Sequence, residues 1–212
     1  MEMNEKSAVP EESRNLELFI ALLIAIFAAV LSINDLGGGR FGDDEMIAHK
    51  ESAAMYEWSQ AKSIKSILCQ NQLQSLTTLE ITNTIKEGHE RIVDSIKNSQ
   101  IKDIERYKKE IEEIRNGSAN INKKDWILKD EKTNEFGTII GASEWKNKAE
   151  KLGEAGDKFD LASLFLQICI VFGAISLVIQ KTSTRKMFLY LMIGMGIVGT
   201  YFMIHAYTIA MA

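Results

Sequence analysis

The chain has 212 residues, with 29 acidic against 25 basic side chains and a formal net charge of -4, so it lacks the basic excess that nucleic-acid binding requires. Its charge is unevenly spread: three apolar runs, Leu16–Ile33, Leu161–Ile179 and Met187–Tyr207, contain a single Asp, Glu, Lys or Arg between them, Glu17 at the lip of the first. Each run approaches the roughly 20 helical residues needed to cross a hydrocarbon core, which excludes an ordinary soluble domain.

The expected fold is an all-α membrane protein. Three transmembrane helices are joined by a long helical-hairpin, coiled-coil-like extramembrane domain lying between the first and second. The boundaries are an N-terminal tail at 1–15, a first span at 16–36 and an outer domain at 37–158 with an irregular insertion at 116–143. A second span at 159–180, a basic loop at 181–186 and a third span at 187–209 follow. The tail sets Lys6 and Arg14 against Glu2, Glu5, Glu11 and Glu12. That is the wrong charge balance for a cleaved signal peptide, so the first span reads as a retained anchor.

After that span, Asp35-Leu-Gly-Gly-Gly-Arg-Phe-Gly42 reads as a flexible, turn-prone joint. Asp43, Asp44 and Glu45 read as a new helix start, with acids where the N-terminal dipole favours them. Helical spacing of apolar residues then continues through Met55, Trp58, Ala61, Ile64, Leu68 and Leu76 to a turn near Gly88. Trp58, Ala61, Ile64 and Leu68 share one apolar face, suited to the returning helix or to a neighbouring subunit.

A second helix is expected over residues 89–115, with Ile92, Ile96, Ile104, Tyr107, Ile111 and Ile114 as its apolar positions. Their spacing is irregular and implies a stutter in any coiled coil. The acids of Glu110-Ile-Glu112-Glu113 read as a solvated face. A helix over 44–87 would rise roughly 65 Å, and helices over 89–115 and 144–158 return roughly 60 Å, at 1.5 Å per residue. This is why the chain is expected to fold back at Gly88.

The insertion Asn116–Ser143 breaks the pattern with Gly117, Gly137 and Gly141. Two β-favouring runs, Trp126-Ile-Leu128 and Thr138-Ile-Ile140, suggest a small hairpin around Lys132–Glu135. Any private recognition surface is expected here.

In the spans, Ala21, Ala25 and Ala29 form a small-residue stripe, and Gly194, Gly196 and Gly199 form another. The glycines match a dinucleotide fingerprint by letter. No strand precedes them and the setting is apolar, so close helix packing is the expected role. These stripes, with Trp58, Ala61, Ile64 and Leu68, are the helix-packing or subunit-interface candidates. Polar residues within the runs include Ser32, Gln167, Ser176 and Thr200; Gln167 and Ser176 are candidates for lining a pore between subunits.

His49, His89 and His205 are too scattered for a metal site, and a solvated helix start accounts for Asp44, Glu45 and His49. Cys69 and Cys169 fall in different environments and are not expected to pair. No catalytic, cofactor-binding or metal-ligating residue is assigned, and no enzymatic activity is expected. Lys181, Arg185 and Lys186 in the short loop put it in the cytoplasm by the positive-inside rule, with residues 37–158 on the opposite side.

Two stretches carry a family resemblance. Trp58-Ser-Gln-Ala-Lys-Ser-Ile-Lys65, and Phe159-Asp-Leu-Ala162 followed by Leu166-Gln-Ile168 at the second span, resemble the bacterial membrane family catalogued as domain of unknown function 4337. The resemblance implies the three-span topology with a helical outer domain, and no activity; with the positive-inside reading, a bacterial source puts the chain in the inner membrane with residues 37–158 in the periplasm. The expected function is that of a non-enzymatic scaffold or accessory subunit in lipid. It would self-assemble as a homo-oligomer or dock on other membrane-complex subunits, without nucleic acid or an identified small-molecule substrate. The alternative is a homo-oligomeric channel or osmotic sensor with a pore along the second or third span.

Overall fold

The computed structural model describes residues 11–85, 88–130 and 134–212, with side chains in the first helix from residue 14 onward. Most of the expected tail, and Lys132 and Thr133 of the expected hairpin, lie outside them. Among the described residues the fold is all-helical. Its four helices are α1 (Glu11–Ile81), α2 (Glu90–Asn116), α3 (Ala142–Val178) and α4 (Thr182–Met211), with two single 3₁₀ turns at Ser118–Asn120 and Lys123–Asp125. By length and composition α1, α3 and α4 each suffice to cross a membrane, as in a multi-pass membrane protein. The chain forms two compact units, residues up to 45 with 150–212, and residues 46–149.

In the first unit, α1, α3 and α4 pack around Ile20, Cys169, Leu189 and Met192, with Leu23, Ile24 and Phe27 against them. The least exposed positions of α4 are Arg185, Leu189, Met192, Gly196, Gly199 and Ala206. Their steps of three and four residues keep one face toward the partners. Two glycines set how close the helices come. A Cβ at Gly196 would lie 2.3 Å from the Phe27 ring, and one at Gly199 would lie 2.7 Å from Leu166 Cγ.

The expected joint after the first span is helix instead, and α1 runs through all four of its glycines. Packing explains this. A Cβ at Gly37 would stand 2.3 Å from the Tyr207 hydroxyl, and one at Gly38 would stand 3.3 Å from Phe159. The rings of Phe41, Phe159 and Tyr207 cluster there, with centroids 5.0 to 5.8 Å apart. Polar groups close the same end. Asn34 donates from Nδ2 to the Phe159 carbonyl (3.0 Å) and to Ser163 Oγ (2.8 Å), and Tyr207 donates to the Ile33 carbonyl (3.1 Å). Asp43–Glu45 therefore do not start a helix.

At the other end of this unit Arg185 is buried. Its Nε donates to the Ile179 carbonyl (2.9 Å) and its Nη1 meets Glu17 Oε1 at 3.0 Å. The Ser176 hydroxyl donates to the Arg185 carbonyl at 3.0 Å. The α3–α4 turn is thus held from three sides.

In the second unit, contacts advance along α1 as they retreat along α2: Glu80 meets Lys97, Lys62 meets Glu110, and Ser59 meets Arg115. The less exposed residues of α1 include Ala48, Ser52, Met55, Ser59, Lys62, Ser66 and Cys69, again in steps of four and three. Those of α2 include Val93, Lys97, Gln100, Ile104, Tyr107, Ile111 and Ile114, with the same steps. The expected stutter in α2 disappears because Lys97 and Gln100 fill places where an apolar residue was sought. α1 ends at Ile81, earlier than expected, with Asn83 (φ 52°) and Gly88 (φ 92°) in the connection to α2.

Two outcomes test this packing. Gly37→Ala and Gly196→Ala should lower the unfolding midpoint in detergent. Gly39→Ala, Gly42→Ala and Gly194→Ala, at sites with nothing within 4 Å, should leave stability unchanged or raise it, by up to about 1 kcal/mol each. The hydrogen bond to Glu80 raises the Lys97 pKa above its ordinary 10.5. The stability this gives is complete below 10.5 and is lost as pH rises through the higher folded value. Chemical denaturation across that range should show the loss in the wild type and a smaller one in Lys97→Met.

Candidate functional site

The expected recognition segment, residues 116–143, folds onto α2 through one carboxylate. Glu113 is fully buried. Its Oε1 accepts from the Ser118 hydroxyl (2.7 Å), and its Oε2 accepts from the main-chain N–H groups of Ile127 and Leu128 (2.9 Å each). Three donors on one carboxylate replace the water it gives up. The sequence placed Glu110 and Glu113 on a solvated face; instead both are buried, and Glu110 is paired with Lys62. An acidic run on a helix carries no local sign of which acid will meet N–H groups more than ten residues further on.

The stem of the segment closes glycine on glycine. A Cβ at Gly141 would stand 2.1 Å from the Gly117 nitrogen, so neither position has room for a side chain. Gly117 also holds φ 85°, a conformation glycine adopts without strain. Glu144 fastens the stem by accepting from the Gly141 N–H (2.8 Å) and from Asn120 Nδ2 (3.0 Å). Trp126 lies over Gly137 and donates from Nε1 to the Ser118 carbonyl (2.7 Å). Beneath, Ile114, Leu128 and Ile139 form a small core with Met55 and Trp58. The expected hairpin is reduced to one antiparallel bridge, Lys129 with Phe136, and the described residues include no strand.

This segment, the adjoining stretch of α1 and the first turn of α3 enclose a cleft of about 550 Å³. Met55, Trp58, Ile139, Ile140 and Trp145 supply its apolar lining, and Glu51, Lys129, Asp130 and Thr138 its polar lining. A mainly apolar cleft of this size with a few polar groups has the make-up of a binding site. Ile140 is 47% exposed within it. The insertion was legible as a break in the helical pattern; the contribution of Glu51 and Trp145 to the cleft was not, since they come from outside it.

The other sequence candidates divide. Gly196 lies against the Phe27 ring and Gly199 against Leu166, while Gly194 faces open space. Ala21, Ala25 and Ala29 are exposed, since α1 turns Ile20, Leu23, Ile24 and Phe27 to the bundle instead. Trp58 is half-buried. Ala61, Ile64 and Leu68 are exposed, the last two at 58% and 55%. The hairpin-facing side of α1 uses Ser52, Ser59 and Ser66, whose small side chains admit α2 and α3; Ser59 accepts from Arg115 Nε (2.8 Å) and Ser52 donates to the Ala142 carbonyl (3.0 Å). Ser176 is fully buried and engaged with the Arg185 carbonyl, and Gln167 is exposed. Among the described residues no three His, Cys, Asp or Glu side chains converge as a metal site would require.

An all-helical chain with three helices fit to cross a membrane, and a folded non-helical segment between the first and the second, fits a multi-pass class of protein. The chain belongs to the family described as Domain of unknown function (DUF4337), whose model matches residues 16–209. No curated protein and no solved structure matches it.

Glu113→Ala would leave two main-chain N–H groups and the Ser118 hydroxyl without their acceptor. It should cost on the order of 3 kcal/mol in the second unit and open the 116–143 segment to limited proteolysis. Glu112→Ala, at an exposed position, should do neither.

Proposed function

We propose that this protein is a non-enzymatic membrane anchor whose outer unit, a helical hairpin of coiled-coil type, docks on another subunit of a membrane complex. The observation that carries the reading is the two-tryptophan cleft, which Glu113, Glu144 and the paired glycines Gly117 and Gly141 hold in shape. A buried carboxylate network of this kind rigidifies a surface, and rigid aromatic clefts are what partners bind most tightly. In this reading residues 37–158 lie on the periplasmic side of a bacterial inner membrane, with Lys181 and Lys186 in the cytoplasm. The exposed Ala61, Ile64 and Leu68, and the alanine stripe Ala21, Ala25 and Ala29, are then free for contact between copies.

A channel between copies would have to be lined from the exposed faces of α3 and α4. Gln167 is available there, while Ser176 is already engaged within the chain. The docking reading therefore accounts for more of the molecule.

Native mass spectrometry of the protein extracted in lipid nanodiscs tests it. The expected result is a stoichiometric assembly that holds this chain with a second protein, which Trp145→Ala weakens. A dispersed monomer with no associated protein would overturn the reading.

A further inference from the structure

The cleft has an edge of main chain as well as apolar walls, and the edge indicates the form of the partner. Ile139 turns both its main-chain groups inward: its C=O accepts from the Ser118 N–H (2.8 Å), and its N–H donates to Ser118 Oγ (3.1 Å). Its side chain is buried with Ile114 and Leu128. In extended backbone, successive residues present their main-chain groups and their side chains to opposite sides. Thr138 and Ile140, on either side of Ile139, are exposed and line the cleft. Among the described residues no hydrogen bond reaches the N–H or C=O of either. Main-chain groups left unpaired on alternate residues are a template for one more strand.

We infer that the cleft binds an extended peptide segment of the partner, added as a strand along Thr138–Ile140, with a large apolar side chain seated between Trp58 and Trp145 and a basic side chain beside Glu51. The main-chain bonds supply affinity, and the pocket for an alternate side chain supplies selectivity. The basic residue follows from charge: Glu51 is exposed on the rim and has no ion-pair partner among the described residues. This inference rests on the docking reading and names the kind of partner that this site takes.

The test is selection from a displayed library of random peptides against the full chain in nanodiscs, followed by titration of the enriched peptides with tryptophan fluorescence as readout. Enriched peptides should share a large apolar residue with a basic residue close by. Methylating alternate main-chain nitrogens of a selected peptide should weaken binding at least about tenfold, a loss of about 1.4 kcal/mol, because each methyl removes a donor that strand addition needs. Ala54, at an exposed position of α1, also lines the cleft, and Ala54→Trp, which fills it, should abolish binding with the fold intact by circular dichroism. Glu51→Gln should weaken the basic peptides selectively.

Indifference to methylation, enrichment that survives Ala54→Trp, or no enrichment at all would each overturn the inference. Methylation is tested on the wild-type chain, so that arm does not depend on the folding of any variant. If the assembly seen by native mass spectrometry persists in Ala54→Trp, docking stands on another surface and only the peptide inference fails. If no assembly forms in the wild type, the docking reading fails first.

Discussion

Close approach between helices is the constraint on which the rest of this molecule depends. In both units the less exposed faces include small side chains: Ser52, Ser59 and Ser66 on α1, Ala149, Ala155, Ala162 and Gly173 on α3, and Gly196 and Gly199 on α4. In lipid, burial of apolar surface gives no preference for a neighbouring helix over a hydrocarbon tail, so association relies on contact at short range. The second unit follows the same rule outside the apolar runs. There the serine hydroxyls add hydrogen bonds, to Arg115 and to the Ala142 carbonyl, that larger apolar residues would forfeit.

That rule explains why some of the architecture was legible and some was not. Hydropathy is a local property, so three runs near membrane length stand out from the residues alone. α2 was placed within one residue at each end, at 90–116 against an expected 89–115. Of the apolar face of α1 that was offered to the returning helix or to a neighbouring subunit, Ile64 and Leu68 face outward, and the face toward α2 and α3 is lined largely by serines whose role depends on helices more than 40 residues further along the chain. The glycines after the first span were misread for a similar reason. Their local preference is for turns, and the Tyr207 and Phe159 rings that hold them helical come from the far end of the sequence.

The candidate site divides in the same way. The break in helical pattern over 116–143 marked the segment, and its two apolar runs marked the residues that fill the small core and the wall of the cleft. What the residues did not reveal was the anchoring. Glu113 sits in a run of three acids within four residues, of which it is fully buried, Glu110 nearly so and Glu112 exposed. Only the path of the main chain at Ile127 and Leu128 separates them. Charge is usually a mark of surface, and here it became a mark of folding because three donors converge on one side chain.

The buried Arg185 changes what the short loop between α3 and α4 presents electrically. Before the bundle assembles, the loop carries three cations. Once Glu17 receives the guanidinium, only Lys181 and Lys186 remain exposed. Attraction to anionic headgroups amounts to about 1 kcal/mol per exposed cation, so the nascent loop is held to such a surface more firmly than the finished one. In the folded bundle the same charge is withdrawn from the loop's surface and becomes the clasp between the first and last helices.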